Sequence, residues 1–191
     1  MGTSAELDRV AVTIGGCTAC RLAATRTLPV PGGGAIGTGL VFVGEAPGRH
    51  EDEQGRPFLG ASGKFLDRVF AEAGMSFREM GYVLPVVKCR PPKNRDPRPD
   101  EVAACRPFLD AQLAALRPRI VVTLGRFGLH AMWPGAELSP VHGEWFERED
   151  PIFGRYWLLP LCHPAAAMRF PKWRQRFVEG LRKLPTPPSA P

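Results

Sequence analysis

The sequence has no long apolar run. No stretch approaches the roughly 18 consecutive apolar residues that a membrane-spanning helix needs. The N-terminal MGTSAELDRV lacks the basic segment followed by an apolar one that marks a secretory signal peptide. Residue 6 is Glu6, where a myristoylation motif requires Ser or Thr. We therefore expect a cytoplasmic protein that has no membrane partner.

The cysteines do not form a disulfide framework, because five cysteines in a cytoplasmic protein favour metal binding or catalysis over disulfides. Cys17 and Cys20 form a C-x-x-C pair, whereas Cys89 and Cys105 lie far downstream. Such a quartet holds zinc or an iron–sulfur cluster. One close pair and two separate cysteines leave zinc, a cluster and ordinary buried cysteines all open. Cys162, inside an apolar run, is expected in the core.

Size and charge indicate one basic globular domain. The chain has 191 residues, 44% of them hydrophobic, which suits a single domain with a sizeable core over residues 1–184. The tail PTPPSAP over residues 185–191 is expected to be disordered. A net charge of +6 makes a polyanion a reasonable partner. There is no internal repeat that would indicate a solenoid or a propeller.

Short apolar runs alternate with helical patterns along the chain. Four runs predict strands: LVFVG, YVLPVVK, RIVVTLG and YWLLPLCHP. Helices are expected over the first dozen residues, from Ser62 as N-cap to Gly74, over 100–116, over 127–132 and near 172–184, with a hairpin within the irregular segment 134–155. This alternation predicts an α/β protein whose parallel sheet is covered on both faces. Ligands of such sheets bind beyond the carboxyl ends of the strands.

An acidic segment and a histidine are expected at that edge. GEAPGRHEDEQGRPF, residues 44–58, carries four carboxylates at the end of the first predicted strand: Glu45, Glu51, Asp52 and Glu53. A carboxylate there can activate water or stabilise a cation, and His163 at another strand end can stabilise an anion. Together they suit hydrolysis of an N-glycosidic bond. The alternative is that Asp52 and Glu53 are solvent-exposed and His163 is structural.

Two basic segments favour nucleic acid as the polyanion. The first holds Lys88, Arg90, Lys93, Arg95 and Arg98, and the second holds Arg169, Lys172, Arg174, Arg176, Arg182 and Lys183 interleaved with aromatic residues. Such charges bind backbone phosphates without reading sequence. Each segment alone is also compatible with an ordinary solvated surface.

Several motifs together resemble the family 4 uracil-DNA glycosylases. They are the C-x-x-C pair, GEAPGRHEDEQGRPFLGASG, VVKCRPPKNRDPRPDE and CHPAAAMR, and the resemblance runs from about residue 17 to 184. It implies a three-layer α/β/α sandwich around a four-stranded parallel sheet. It also implies a structural [4Fe–4S] cluster whose ligands are Cys17, Cys20, Cys89 and Cys105.

The resemblance also assigns roles to single residues. Glu45, Ala46 and Gly48 border the base, Glu51 or Asp52 positions the attacking water, and Phe58 stacks on the flipped-out base. His163 donates a hydrogen bond to the oxygen that gains charge as the base leaves. Met168 and Arg169 enter the minor groove. Because of their charge, Lys88, Arg90, Lys93 and Arg95 of the first basic segment are expected to contact DNA. The implied reaction removes uracil or a related deaminated base from DNA, without a lyase step, by a protein expected to act as a monomer.

The sequence departs from the family pattern at Pro85. Family members typically carry an asparagine there, whose amide reads the polar edge of uracil, and proline has neither an amide nor a backbone N–H. An alternative is therefore a lesion-binding superfamily member with altered base specificity or weak catalysis. A third interpretation is a zinc-stapled hydrolase of another substrate.

Overall fold

The described part of the chain is built around one six-stranded sheet. A computed structural model describes residues 3–184, so the predicted disordered tail lies outside the described residues. The strands are β1 Gly33–Gly34, β2 Leu40–Gly44, β3 Tyr82–Pro85, β4 Ile120–Leu124, β5 Phe146–Asp150 and β6 Gly154–Leu161. Their order across the sheet is β1-β3-β2-β4-β6-β5.

The four central strands coincide with the four predicted apolar runs. β3, β2, β4 and β6 pair in parallel, which confirms the α/β class and its parallel sheet. The sheet is wider than predicted, because β1 and β5 add antiparallel edges. Residues of β5 alternate between half-buried and exposed, so this strand lacks the continuous apolar run of a buried parallel strand. With β6 it forms a hairpin, of which β5 and the turn lie in the segment 134–155 where a hairpin was expected.

Helices cover both faces of the sheet. They are α1 Thr3–Gly15, α2 Arg49–Gln54, α3 Ala61–Glu72, α4 Phe77–Met80, α5 Pro99–Leu116, α6 Arg126–Met132, α7 Leu138–Val141, α8 Pro164–Arg169 and α9 Pro171–Leu181. Two short 3₁₀ turns, Arg21–Ala24 and Pro92–Asn94, follow Cys20 and Cys89. Within residues 3–184 no helix is both long and apolar enough to cross a membrane.

The central strand β2 shows how the three layers form. All five of its residues are buried, and successive side chains point to opposite faces of the sheet. Leu40 and Phe42 belong to the core beneath α3 and α9, and the Phe42 ring centroid lies 5.8 Å from that of Phe70. Val41 and Val43 belong to the core beneath α5 and α6. The sequence therefore encodes a strand buried on both sides.

Helix α3 begins two residues earlier than predicted. Gly60 is its N-cap, so the prediction of Ser62 as the cap is wrong. A Cβ on Gly63 would lie 1.8 Å from the carbonyl oxygen of Phe58, so only glycine lets the helix approach this carbonyl. The start of α3 is thus set by packing against the preceding loop, and Ser62 instead lines the cavity described next.

Candidate active site and cysteine site

A cavity of about 560 Å³ opens at the carboxyl edge of the central strands. Its walls come from the segment that follows β2, from the end of β3 and the loop after it, and from His163 after β6. Its volume is in the range of small-molecule sites. The structure therefore brings the acidic segment, Pro85 and His163 together, as the carboxyl-edge rule predicts.

Glu51 and Asp52 are neighbours in α2 but have different surroundings. Oε1 of Glu51 accepts hydrogen bonds from the backbone N–H groups of Leu59 at 2.7 Å and Gly60 at 2.8 Å, and Glu51 lines the cavity. Asp52 is only 3% exposed and accepts the Thr27 N–H at 3.0 Å. Asp52 is thus neither a cavity residue nor the solvent-exposed residue of the alternative interpretation. It anchors the segment before β1.

Gly48 and Ala46 border the cavity close to this carboxylate. A Cβ on Gly48 would lie 2.7 Å from Oε2 of Glu51, so a larger residue would displace the carboxylate. Within residues 3–184 no hydrogen bond to Oε2 is found, whereas Oε1 holds two. Oε2 is therefore available to accept a hydrogen bond from a bound molecule.

Glu45 is a half-buried acid whose charge is tuned by an ion pair. Burial raises its pKa, the Asp96 carboxylate raises it further, and Arg126 lowers it. Arg126 also donates a hydrogen bond to Asp96, so the residue that lowers the pKa of Glu45 is bound to the residue that raises it. The backbone carbonyl of Glu45 accepts the Val87 N–H at 3.0 Å, which fixes the start of the acidic segment against the chain beyond β3.

Phe58 is held firmly in the cavity wall. Its backbone has φ +52°, a left-handed conformation that is uncommon outside glycine. Nη2 of Arg78 donates to its carbonyl oxygen at 2.8 Å, and its ring meets that of Phe77 edge-on at 5.7 Å between centroids. A Cβ on Gly44 would lie 3.3 Å from Cζ of Phe58, so the ring reaches back to the end of β2.

His163 is positioned as a neutral hydrogen-bond donor. It is the N-cap of α8, and its Nδ1 accepts the backbone N–H of Ala165 at 3.2 Å. Because Nδ1 is an acceptor, the neutral ring carries its proton on Nε2. Burial lowers the pKa of His163 to about 4, so the ring is neutral near pH 7. The imidazole therefore offers an Nε2–H without a net charge.

Pro85 lies in the cavity wall at the end of β3 and is buried. Its carbonyl oxygen accepts a hydrogen bond from Nζ of Lys88 at 2.7 Å. The proline thus contributes an apolar surface to the cavity, and its one polar backbone group is bound by a protein side chain.

Of the predicted DNA contacts, Lys88 does not fit the structure, and Arg95 is held by a carboxylate. Lys88 is 1% exposed, and its burial lowers the pKa of its amine to about 7, so it cannot reach a phosphate. Arg95 donates to both carboxylate oxygens of the fully buried Glu101, at 2.6 and 2.8 Å, and holds the pKa of Glu101 down to about 2. Arg95 therefore fastens the loop to the first turn of α5, and it also lines the active-site cavity, so its contact with DNA stays a prediction.

The other predicted DNA contacts remain accessible. Lys93 and Arg169 are exposed, and Met168 is 47% exposed although it is apolar. Arg90 is half-buried and donates to Oδ1 of Asn94 at 2.7 Å. Their contact with DNA stays a prediction.

Four cysteines line a second, smaller cavity between the N-terminal segment, the loop after β3 and α5. They are Cys17, Cys20, Cys89 and Cys105. Among residues 3–184, no three or more Cys, His, Asp or Glu side chains converge closely enough to hold one metal ion. Cys162 lies apart from this site, in the core beneath α3 and α9, as expected.

Hydrogen-bond donors point at three of the four sulfurs. The donors are the Ala19 N–H to Cys17 at 3.5 Å, Nη1 of Arg26 to Cys89 at 3.2 Å and the Lys88 N–H to Cys105 at 3.5 Å. Such donors stabilise thiolates and tune iron–sulfur clusters. Four thiols around one cavity, with donors to three of the sulfurs, fit a group that uses all four cysteines as ligands.

Several cavity residues escaped the sequence-based prediction. The ones with polar side chains are Arg49, His50, Ser62 and Asn94. His50 was assigned to the structure or surface and Ser62 to a helix cap. The available signal was their position, since these four follow a central strand within a motif that already carried other site residues.

The comparisons with known proteins agree with this geometry. The family model of the Uracil DNA glycosylase superfamily matches residues 31–184. The type-4 uracil-DNA glycosylase of Archaeoglobus fulgidus is 41% identical over 185 residues, covering 94% of this chain and 92% of the relative. That of Sulfurisphaera tokodaii is 38% identical over 187 residues (94% and 83%), and that of Thermotoga maritima 43% over 155 residues (80% and 78%). The predicted resemblance is thereby confirmed, and the chain belongs to the type-4 uracil-DNA glycosylases of the uracil-DNA glycosylase superfamily.

Proposed function

We propose that this protein hydrolyses the N-glycosidic bond of uracil, or of a related deaminated base, in DNA and leaves an abasic site. One observation carries the proposal beyond family membership. A single cavity brings together an aromatic ring, a fixed carboxylate and a neutral histidine: Phe58, Glu51 and His163. These are the groups needed to hold a base, supply water and stabilise the departing anion.

The base enters the cavity by leaving the DNA stack. Extrusion costs a few kcal/mol because stacking and pairing are lost, and this cost is smallest at a mispair. The Phe58 ring, held by Phe77 and Arg78, offers an apolar face that replaces part of the lost stacking. Because its backbone is fixed as well, little side-chain freedom is lost on binding.

His163 stabilises the departing base. As the bond breaks, negative charge develops on a carbonyl oxygen of the base, and the Nε2–H of the imidazole donates to that oxygen. The Ala165 N–H holds the ring in the tautomer that makes this possible. A donor that is in place before the reaction begins stabilises the transition state without reorganisation.

Glu51 positions the water that attacks the sugar. Two backbone N–H groups occupy Oε1, so Oε2 accepts a hydrogen bond from the water. The sugar becomes cationic as the base leaves, and the carboxylates of Glu51 and Glu45 in the cavity wall stabilise that charge. No lysine lines the cavity among residues 3–184, which supports hydrolysis without a lyase step.

The DNA backbone is held by residues around the cavity. Arg90 and Lys93 contact phosphates from the loop after β3. Met168 and Arg169, on the exposed end of α8, enter the minor groove and occupy the space of the extruded nucleotide. These assignments are supported by exposure and position at the carboxyl edge of the sheet.

The four-cysteine cavity would hold a [4Fe–4S] cluster through Cys17, Cys20, Cys89 and Cys105. When bound, such a cluster supplies a structural crosslink. It would tie the segment after α1 to the loop between β3 and α5, which carries the phosphate-binding residues.

Uracil release from a duplex with one U·G pair tests the proposed reaction. The unmodified protein should release free uracil, and Glu51→Gln should lower the single-turnover rate at least about 100-fold, as expected for loss of a general base. Glu53→Gln makes the same chemical change at an exposed residue of α2 and should leave the rate unchanged.

The proposal would be refuted if the unmodified protein, with its cluster present, released no uracil from U·G, U·A or single-stranded substrates. The same assay decides the alternative of a lesion-binding protein with weak catalysis, which no feature of the site favours.

A further inference from the structure

A single buried lysine lies between the two cavities. Lys88 lines the cysteine cavity, yet its side chain extends to the wall of the active-site cavity. It is 1% exposed, and within residues 3–184 no carboxylate pairs with it. A buried amine without an acidic partner is costly, so its position calls for a specific role.

Three hydrogen bonds join Lys88 to both sites. Its Nζ donates to the carbonyl oxygen of Pro85 at 2.7 Å, and its own carbonyl accepts the Val30 N–H at 2.7 Å. Pro85 and Val30 both line the active-site cavity. On the other side, the backbone N–H of Lys88 donates to Sγ of Cys105 at 3.5 Å. One residue thus contacts two walls of the active-site cavity and one cysteine.

We infer that Lys88 is a positioning residue that couples occupancy of the cysteine site to the shape of the base-binding wall. This inference rests on the proposed function, because it assigns a cluster to one cavity and a base to the other. A thiolate-bound group carries negative charge and would be the electrostatic partner that the buried amine otherwise lacks. The same amine then fixes the carbonyl of Pro85, and with it the ring that faces the base.

The coupling acts in both directions. If the occupied cysteine site favours a base-ready wall, a base in the cavity must stabilise the occupied cysteine site by the same factor. This reciprocity gives a measurement that does not depend on catalysis.

Lys88→Met in the cluster-loaded protein tests the link, because methionine keeps the apolar stem and removes the Nζ donor. The single-turnover rate of uracil release should fall about tenfold, since the hydrogen bond that fixes the Pro85 carbonyl is lost. Affinity for a duplex with an abasic site should not change, because Lys88 does not reach DNA. Lys64→Met, the same change at an exposed lysine, is the matched control. An unchanged rate, or equal losses in rate and affinity, would overturn the inference.

The reciprocal measurement keeps the inference testable even if Lys88→Met loses its cluster. The visible absorbance of the unmodified protein is followed during oxidative loss of the cluster. One sample carries a saturating duplex with non-cleavable 2′-fluoro-deoxyuridine, and the other carries the same duplex with thymidine. Loss should be several-fold slower with the uracil duplex, and equal rates would refute the coupling. Absence of uracil release by the unmodified protein would instead refute the proposed function, so the two failures are distinguishable.

Discussion

Replacing His163 with alanine tests the proposed chemistry most directly. The substitution removes the Nε2–H that stabilises the leaving base, and loss of one preorganised donor to a developing anion costs about 2.7–4 kcal/mol, or about 100- to 1,000-fold in rate. It also removes the N-cap acceptor of the Ala165 N–H, which costs about 1 kcal/mol of folding stability. We therefore expect a folded protein that is slightly less stable and strongly impaired in cleavage.

The assay separates chemistry from binding. Single-turnover cleavage of a U·G duplex gives the rate, and titration of a duplex with an abasic site gives the affinity, which should change little. The depressed pKa of about 4 also predicts a pH dependence. Because the neutral ring is the donor, the contribution of His163 to the rate should be constant from pH 6 to pH 9.

His163→Asn is the matched variant, because asparagine is a good N-cap and should recover stability without restoring the rate. Two results would refute the reasoning. Equal losses of rate and DNA affinity in His163→Ala would assign the histidine to binding or folding. A rate that falls as pH rises from 6 to 7 would show that the protonated imidazolium is the active form.

Three further predictions address the other groups. Pro85→Asn should sharpen the preference for uracil over other deaminated bases in a competition assay; unchanged selectivity would show that this strand residue does not read the base. Asp96→Asn removes a charge that raises the pKa of Glu45, so the acidic limb of the pH–rate profile should move to lower pH, and a shift to higher pH would contradict this. Burial and the nearby Arg176 lower the pKa of His142 in the folded protein to about 4 from an ordinary 6.5. Between these two pH values the unfolded state binds a proton that the folded state does not, so the stabilising contribution of His142 is complete above pH 6.5 and is lost as pH falls towards 4. The free energy of unfolding, measured by urea titration, should therefore fall between pH 7 and pH 5 by about 2 kcal/mol less in His142→Phe than in the unmodified protein. Equal falls would show that His142 does not cause the loss of stability.

The strands were predictable because burial on both sheet faces demands unbroken apolar runs. LVFVG became β2, with all five residues buried. The edge strand β5 was not marked in this way, because FERED faces solvent on one side and pairs through its backbone. Its charges carry no strand signal strong enough to fix its bounds.

The acidic segment shows the limit of reading chemistry from charge. Four carboxylates within nine residues marked the site, but the sequence could not separate Glu51 from Asp52. Their roles depend on which backbone N–H groups each meets. Glu51 meets those of Leu59 and Gly60, whereas Asp52 meets that of Thr27. The direction of each side chain follows from the turn of α2, which only the folded chain defines.

The basic loop was misjudged for a related reason. Charge alone made Lys88 a DNA contact, but its neighbours Val86, Val87 and Cys89 are buried, and it is buried with them.

By itself, the sequence determined the α/β class, the four parallel strands and the edge where the active site lies, because periodicity and chain order encode these features locally. The resemblance of its motifs to a known family indicated the four cysteines of the second cavity. Only the tertiary structure decided which carboxylate faces the cavity, which lysine lies inside the protein and which tautomer His163 adopts. Each of those depends on a hydrogen-bond partner from a distant segment or on a local backbone geometry that no residue pattern records.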